Sequence, residues 1–182
     1  MNKDLTYKVN DVVVYGTEGV CRVSDITTKP FRDREVTYYV LKPVFNKSAT
    51  VFVPVDNEKL TARMHRALSS DEIRAMIQSL PEQGAMWIED EAERKVRYKE
   101  ILASGDRIQL IQLIKALYFH QESQRAIGKK LHISYDHFFK EAQRLLYDEF
   151  STALDIPRDD VLNYIDQIIA EATGSAPPGP DE

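Results

Sequence analysis

The sequence predicts an α+β chain: a small antiparallel sheet, curled or closed into an SH3-like barrel, followed by an all-helical domain of about five helices. Three observations predict it. Lys8 to Pro54 contains four β-rich runs separated by turn chemistry, with no helical pattern between them. After Leu68 the apolar residues recur at three- and four-residue spacing. Caps and stops then cut that second part into helix-sized pieces.

The first run, Val12 to Tyr15, is β-branched and aromatic, and Gly16 and Gly19 bracket a tight reversal after it. The second, Val20 to Ile26, alternates with period two. Val20 and Arg22 take one face, and Cys21, Val23 and Asp25 the other. Val36 to Leu41 and Thr50 to Val53 are the third and fourth runs. Pro54 closes the ladder because it has no N–H to donate. Four or five such strands without helices suit a docking platform better than an enzyme.

In the second part, Ser69 stands three residues before Glu72 as a capping box, and Ile73, Met76, Ile77 and Leu80 follow at helical spacing. Pro81 and Gly84 end that helix. A second is expected from about Ile88 to Ala103, with Ile88, Ala92, Val96 or the stem of Lys95, and Lys99 in one row. Ser104-Gly105 terminates it and Asp106 caps the next. The third, from Ile108 to Phe119, is apolar enough for the centre of a bundle. Gly128 breaks it, and Ser134 or Asp136 opens a fourth, carrying Phe138, Phe139, Ala142, Leu145, Leu146, Glu149 and Phe150. After Ile156-Pro157 a last short helix holds Val161, Tyr164, Ile165, Ile168 and Ile169. The expected boundaries are 1–66 for the sheet domain and 67–173 for the helical domain, with a disordered tail from 174 to 182.

Composition bounds the function. Of 182 residues, 43% are apolar and 29% charged, near the averages for soluble domains. No apolar run approaches the ~20 residues needed to span a bilayer, and MNKDLTYK is not a signal peptide, so no membrane partner and a cytoplasmic location are expected. The single Cys21 reads as a small core residue in a strand. The net charge of −5 is unevenly spread. Residues 1–66 hold 11 Lys/Arg against 8 Asp/Glu, residues 67–93 hold 1 against 7, residues 94–144 hold 11 against 5, and residues 145–182 hold 1 against 9. A basic block between acidic flanks is either a surface for an anionic partner or a set of solvated helix faces.

No catalytic constellation emerges. There is no phosphate loop, no serine elbow and no Cys/His metal spacing, so neither enzyme activity, small-molecule substrate, cofactor nor metal is expected. His65, His120, His132 and His137 are scattered. Glu89, Asp90, Glu91 and Glu93 fan around a helix start and serve its positive end. Trp87, the only tryptophan, stands just before the second helix. There it either packs the helix start onto its neighbours or acts as an exposed wedge beside the basic block.

Taken in order, KVNDVVVYGTEGVCRV, YYVLKP, VFVP, a Trp-bearing segment, ILASGD, LIQLIKALY and EAQRLLYDEF resemble the CarD/CdnL family of bacterial transcription regulators. The resemblance runs from about residue 8 to about residue 170, and the WI…R…YKEIL…SGDR and LIKxLY patterns are similar to members from low-GC Gram-positive bacteria. It implies a Tudor-like RNA polymerase-interacting domain that docks on the β-subunit lobe, an exposed strand edge adding to a sheet of the partner. Lys29, Phe31, Arg32, Arg34, Val36 and Tyr38 would make that contact. Phe52 stands where some relatives carry Arg, which makes the contact more apolar. The resemblance further implies that the helical domain touches upstream promoter DNA without reading sequence. Trp87 would sit at the minor-groove edge of the melted region, and Arg94, Lys95, Arg97, Lys99, Lys129 and Lys130 would hold phosphates. The chain departs from other branches in following its Trp with Ile88-Glu89-Asp90-Glu91. A protein–protein adaptor, its helical domain binding a second protein in place of DNA, is the alternative that these residues leave open.

Overall fold

A five-stranded antiparallel sheet comes first and helices follow it. The structure, a computed structural model, describes residues 5–80, 87–129 and 132–174. The expected helix stop at Pro81 and Gly84, Lys130, and the tail beyond Gly174 lie outside the described residues. The chain divides into two units, one formed by the residues up to Ala67 together with Ala103–Gly105, the other by Leu68–Leu102 and the residues from Asp106 on.

The sheet is built from β1 (Val12–Tyr15), β2 (Gly19–Phe31), β3 (Arg34–Pro43), β4 (Val51–Pro54) and β5 (Met64–Arg66), with a one-turn helix α1 (Glu58–Thr61) before β5. Their order across the sheet is β4-β3-β2-β1-β5, every pair antiparallel. β1 and β2 are joined by a single 3-10 turn at Gly16–Glu18. Gly16 and Gly19 adopt φ of +46° and +71° there, a region open to glycine at little cost. The core of this unit is Val13, Tyr15, Cys21, Val23, Tyr39, Leu41, Val53 and Met64. Burial pushes the Cys21 thiol up to about 12, which keeps it a protonated, apolar packing group.

The strict alternation expected along the second strand fails at one place. The β2–β3 register shifts between Val23 and Asp25, so Ser24 is an extra residue and its hydroxyl bonds the Val40 carbonyl at 3.0 Å. Beyond this bulge the phase inverts. Asp25, expected beside Cys21 and Val23, is exposed, and Ile26 packs on the core instead. Burying an unpaired carboxylate beside Cys21 costs far more than the bulge. β2 and β3 then run on together as a long ribbon, closed by a two-residue turn at Arg32-Asp33, where Arg32 takes φ +55°.

The helical unit contains α2 (Ser70–Ser79), α3 (Glu91–Ser104), α4 (Arg107–Ala126), α5 (Ile133–Leu154) and α6 (Val161–Thr173). The Ser69/Glu72 capping box forms, and Asp106 caps α4 through the Gln109 N–H. α3 starts three residues later than the sequence suggests. Asp90 is its cap, its carboxylate accepting the Glu93 N–H at 2.8 Å and its carbonyl the Arg94 N–H. The buried row is Arg94, Tyr98, Ile101 and Leu102, and Val96, expected in a shared row with Ile88 and Ala92, is exposed. α4 supplies Leu110, Leu113 and Leu117 to one core cluster with α3 and α5, and Ile111 to a second with α2, α5 and α6.

Glu149, placed by periodicity among the packing residues of α5, is a buried charge. It is 2% exposed and accepts the Leu68 N–H at 3.0 Å. Arg107 grips the same carboxylate with both arms, at 2.8 and 2.5 Å. Removing one partner of such a pair strands the other, so Glu149→Ala is expected to destabilise the helical unit by about 3–5 kcal/mol. Replacing both residues with apolar side chains is expected to restore most of that loss. Urea unfolding of the three variants checks this, and a single-variant loss under about 1 kcal/mol would show a screened surface pair instead.

Candidate binding surfaces

The residues expected to face a protein partner converge on one side of the sheet unit. Past the end of β4, the β2–β3 ribbon places Lys29 opposite Val36 and Phe31 opposite Arg34, while Tyr38 pairs with Pro54. A groove of about 730 Å³ lies there, with Phe31, Arg34, Val36, Tyr38, Phe52 and Pro54 along one wall. The other wall is the segment from Asp56 to Leu60. Strand periodicity ends at Pro54 and so does not reveal this second wall. Its one local signal is Asn57, whose side chain caps α1 through the Leu60 N–H.

Two aromatic side chains stand open in this groove, Phe31 at 50% and Phe52 at 43% exposure. Isolated exposed apolar residues are ordinary, but several lining one groove mark a contact surface. Each is held in place. The Tyr38 ring meets Phe52 edge-on at 6.1 Å, and the Lys29 ammonium lies 4.2 Å above the Phe52 ring. Arg32 lies 5.6 Å from the Phe31 ring at the hairpin tip. Val36 is buried and forms groove floor, so its side chain is not the open contact that the sequence suggests. β4 is one outer strand of the sheet, since it pairs only with β3 among the described residues.

The helical unit arranges its candidates differently. Trp87 is half-buried and packs on the core cluster of α3, α4 and α5. Its indole stacks on the His120 imidazole with centroids 4.4 Å apart and planes 26° apart. The Arg94 guanidinium lies 4.3 Å from the indole ring. A pocket of about 240 Å³ beside the indole is lined by Ala116, Phe119, His120 and Ser123.

Arg94 is a correction. Expected as a phosphate ligand, it is 6% exposed and spends its donors inside the fold. They reach the Ile88 and Glu89 carbonyls and, from Nε at 3.1 Å and from Nη2, the Tyr135 hydroxyl. Arg94 lies in the row of α3 that carries Tyr98, Ile101 and Leu102 into the core, and no arginine so committed can reach a phosphate without leaving carbonyls and a phenol unpaired. Lys95 and Arg97 are compensated locally. Lys95 pairs with Glu91 at 2.6 Å, and Arg97 reaches Glu100 at 3.1 Å and Gln109 at 3.0 Å. The Lys95 bond holds the Glu91 carboxyl below the usual range. Lys99 and Lys129 are exposed and make no ion pair among the described residues. His120 and Tyr135, which no sequence pattern groups with Trp87, are the neighbours that fix its setting.

Among the described residues no group of three His, Cys, Asp or Glu side chains could hold a metal ion, and no helix is long and apolar enough to cross a membrane. Residues 7–67, about a third of the chain, match the family described as CarD-like/TRCF RID domain. The matched segment holds all five strands and α1, and with them the whole groove. It supports a CarD/CdnL-like family and a transcription-related role in binding RNA polymerase.

Proposed function

We propose that the chain is a transcription regulator without catalytic activity that docks on the β-subunit lobe of RNA polymerase and stabilises promoter open complexes through upstream DNA contacts, without reading sequence. The observation that carries this reading is the groove of Phe31, Arg34, Tyr38 and Phe52 inside the segment that matches the polymerase-interacting family. Open aromatic side chains supply the apolar centre of such an interface, and Lys29, Arg32 and Arg34 give it a basic rim suited to an acidic partner face.

Trp87 is the DNA-side residue of this reading. Its indole borders an open pocket and is backed by a fixed cation, the setting of a wedge that enters a distorted minor groove. Lys99 and Lys129 are the phosphate ligands with uncommitted charge, and Arg97 joins them by exchanging Glu100 for a phosphate. Promoter complexes formed with the chain are therefore expected to lose stability steeply with salt. Arg97→Glu together with Lys99→Glu should lower the slope of log affinity against log salt by about one for each phosphate that is no longer neutralised. An unchanged slope takes these residues off the DNA.

The adaptor reading draws on a separate observation. Tyr118, Phe119, Ile127 and Ile133 are between 50% and 84% exposed on the helical unit, while Lys95 and Arg97, two of the candidate phosphate ligands, are already paired with carboxylates. If the chain prolongs no open complex and shows no salt-dependent promoter contact, that apolar surface becomes the second interface.

A further inference from the structure

We infer that His120 is a proton-sensitive positioning residue for Trp87: the neutral imidazole holds the indole in place, and the imidazolium releases it. The inference rests on the reading of Trp87 as the DNA-side residue only for its consequence at the promoter, and stands on its own for the conformation of the indole.

Trp87 precedes α3 and so lacks the constraint of a helix. What orients it is side-chain contact. The Arg94 guanidinium, fixed by two carbonyls and the Tyr135 hydroxyl, lies against the indole and cannot follow it if it moves. The His120 ring is the other stacked partner, and it has far fewer ties. Its ring neighbours are the indole and the edge of Tyr135, 5.8 Å away. Arg94 is thus a permanent cation at the cluster, and a second cation at His120 must share the same half-buried space.

The charged and titratable groups facing His120 can be named from each element. α3 contributes Arg94 and Glu91; α5 contributes Tyr135 and, 6.0 Å beyond that ring, His132. The carboxylate nearest in effect is Glu91, which acts on Arg94 and His132 while its own charge is committed to Lys95. Burial first, and Arg94 second, therefore push the His120 imidazole below its ordinary value of 6.5. An imidazolium on an indole face gains some cation–π attraction, but it gains more by swinging into water away from Arg94. For a histidine with a depressed folded-state value, the hold is fully present above about pH 6.5 and is lost as pH falls below it.

Trp87 is the only tryptophan, so the intrinsic fluorescence of the full chain reports on this indole alone. Titration from about pH 8 to about pH 5 is expected to shift its emission in one step with a midpoint below 6.5. His120→Gln should abolish the step, and His120→Phe, which stacks but cannot titrate, should keep the high-pH emission throughout. His132→Gln serves as the control and should leave the step in place. A step that survives in His120→Gln and His120→Phe, or no step in the unaltered chain, overturns the inference. Loss of the step in His120→Gln with an unchanged open-complex lifetime keeps His120 as the positioning residue and removes Trp87 from the promoter contact instead.

Discussion

Phe52→Glu is expected to weaken binding of the chain to RNA polymerase about a hundredfold, with folding unchanged. Phe52 is 43% exposed and lies outside the sheet core, so its replacement removes no buried packing. What it removes is the open aromatic surface in the groove, together with the Lys29 and Tyr38 contacts that keep it presented. Anchors of this kind are worth about 2–4 kcal/mol when truncated, and 1.4 kcal/mol is tenfold in affinity. The new carboxylate also draws Lys29 away from an acidic partner and adds a charge where the interface is driest. Affinity for core polymerase and the thermal midpoint of the free variant are the two measurements. Unchanged affinity with an unchanged midpoint would take the groove out of the interface.

Trp87→Ala acts at the other end of the account. It should shorten the competitor-challenged lifetime of open complexes about tenfold and leave polymerase affinity as it was. An aromatic ring against an unstacked base is worth about 1–3 kcal/mol, and only part of that is realised by an indole already half-buried in its own fold. Truncation also strips packing from the α3–α4–α5 core cluster. Trp87→Phe separates the two effects, because it keeps most of the packing and loses most of the wedge. A lifetime that follows the thermal midpoint across both variants would make Trp87 a packing residue only.

How far the sequence foretells these surfaces depends on how local the signal is. β1, β3 and β4 are announced by β-branched and aromatic runs, and the capping box of α2 by two side chains three residues apart. The bulge at Ser24 has no such signal. It is set by the partner strand, and it reverses the faces of every residue after it. α3 shows the same limit in a helix. Glu89, Asp90, Glu91 and Glu93 all favour a helix start, and the expected row of Ile88, Ala92, Val96 and Lys99 lies about a third of a turn from the row the helix buries. With that expected row as the inner face, Arg94 falls among the surface cations. The row Arg94, Tyr98, Ile101, Leu102, at i, i+4, i+7 and i+8, is the available sign that it points inward. The neighbours of Trp87 are beyond reach for another reason. His120 and Tyr135 come from helices 33 and 48 residues along the chain, and no periodicity within one element brings them together.

The same distinction explains why the groove is half legible. Most of its first wall is the hairpin from Phe31 to Tyr38, whose residues alternation orders, and β4 adds Phe52 and Pro54. Its second wall comes from the short segment after β4, too brief for any period, and only folding places Asp56 to Leu60 opposite Phe52.

Hydrogen exchange of the full chain, free and bound to core RNA polymerase, tests the central claim most directly. The expected result is protection at the β2–β3 hairpin from Lys29 to Tyr38 and across Val51 to Leu60, with the helices of the second unit unchanged until promoter DNA is added. Protection confined to the helical unit on polymerase alone, with the hairpin and β4 exchanging as in the free chain, would contradict it.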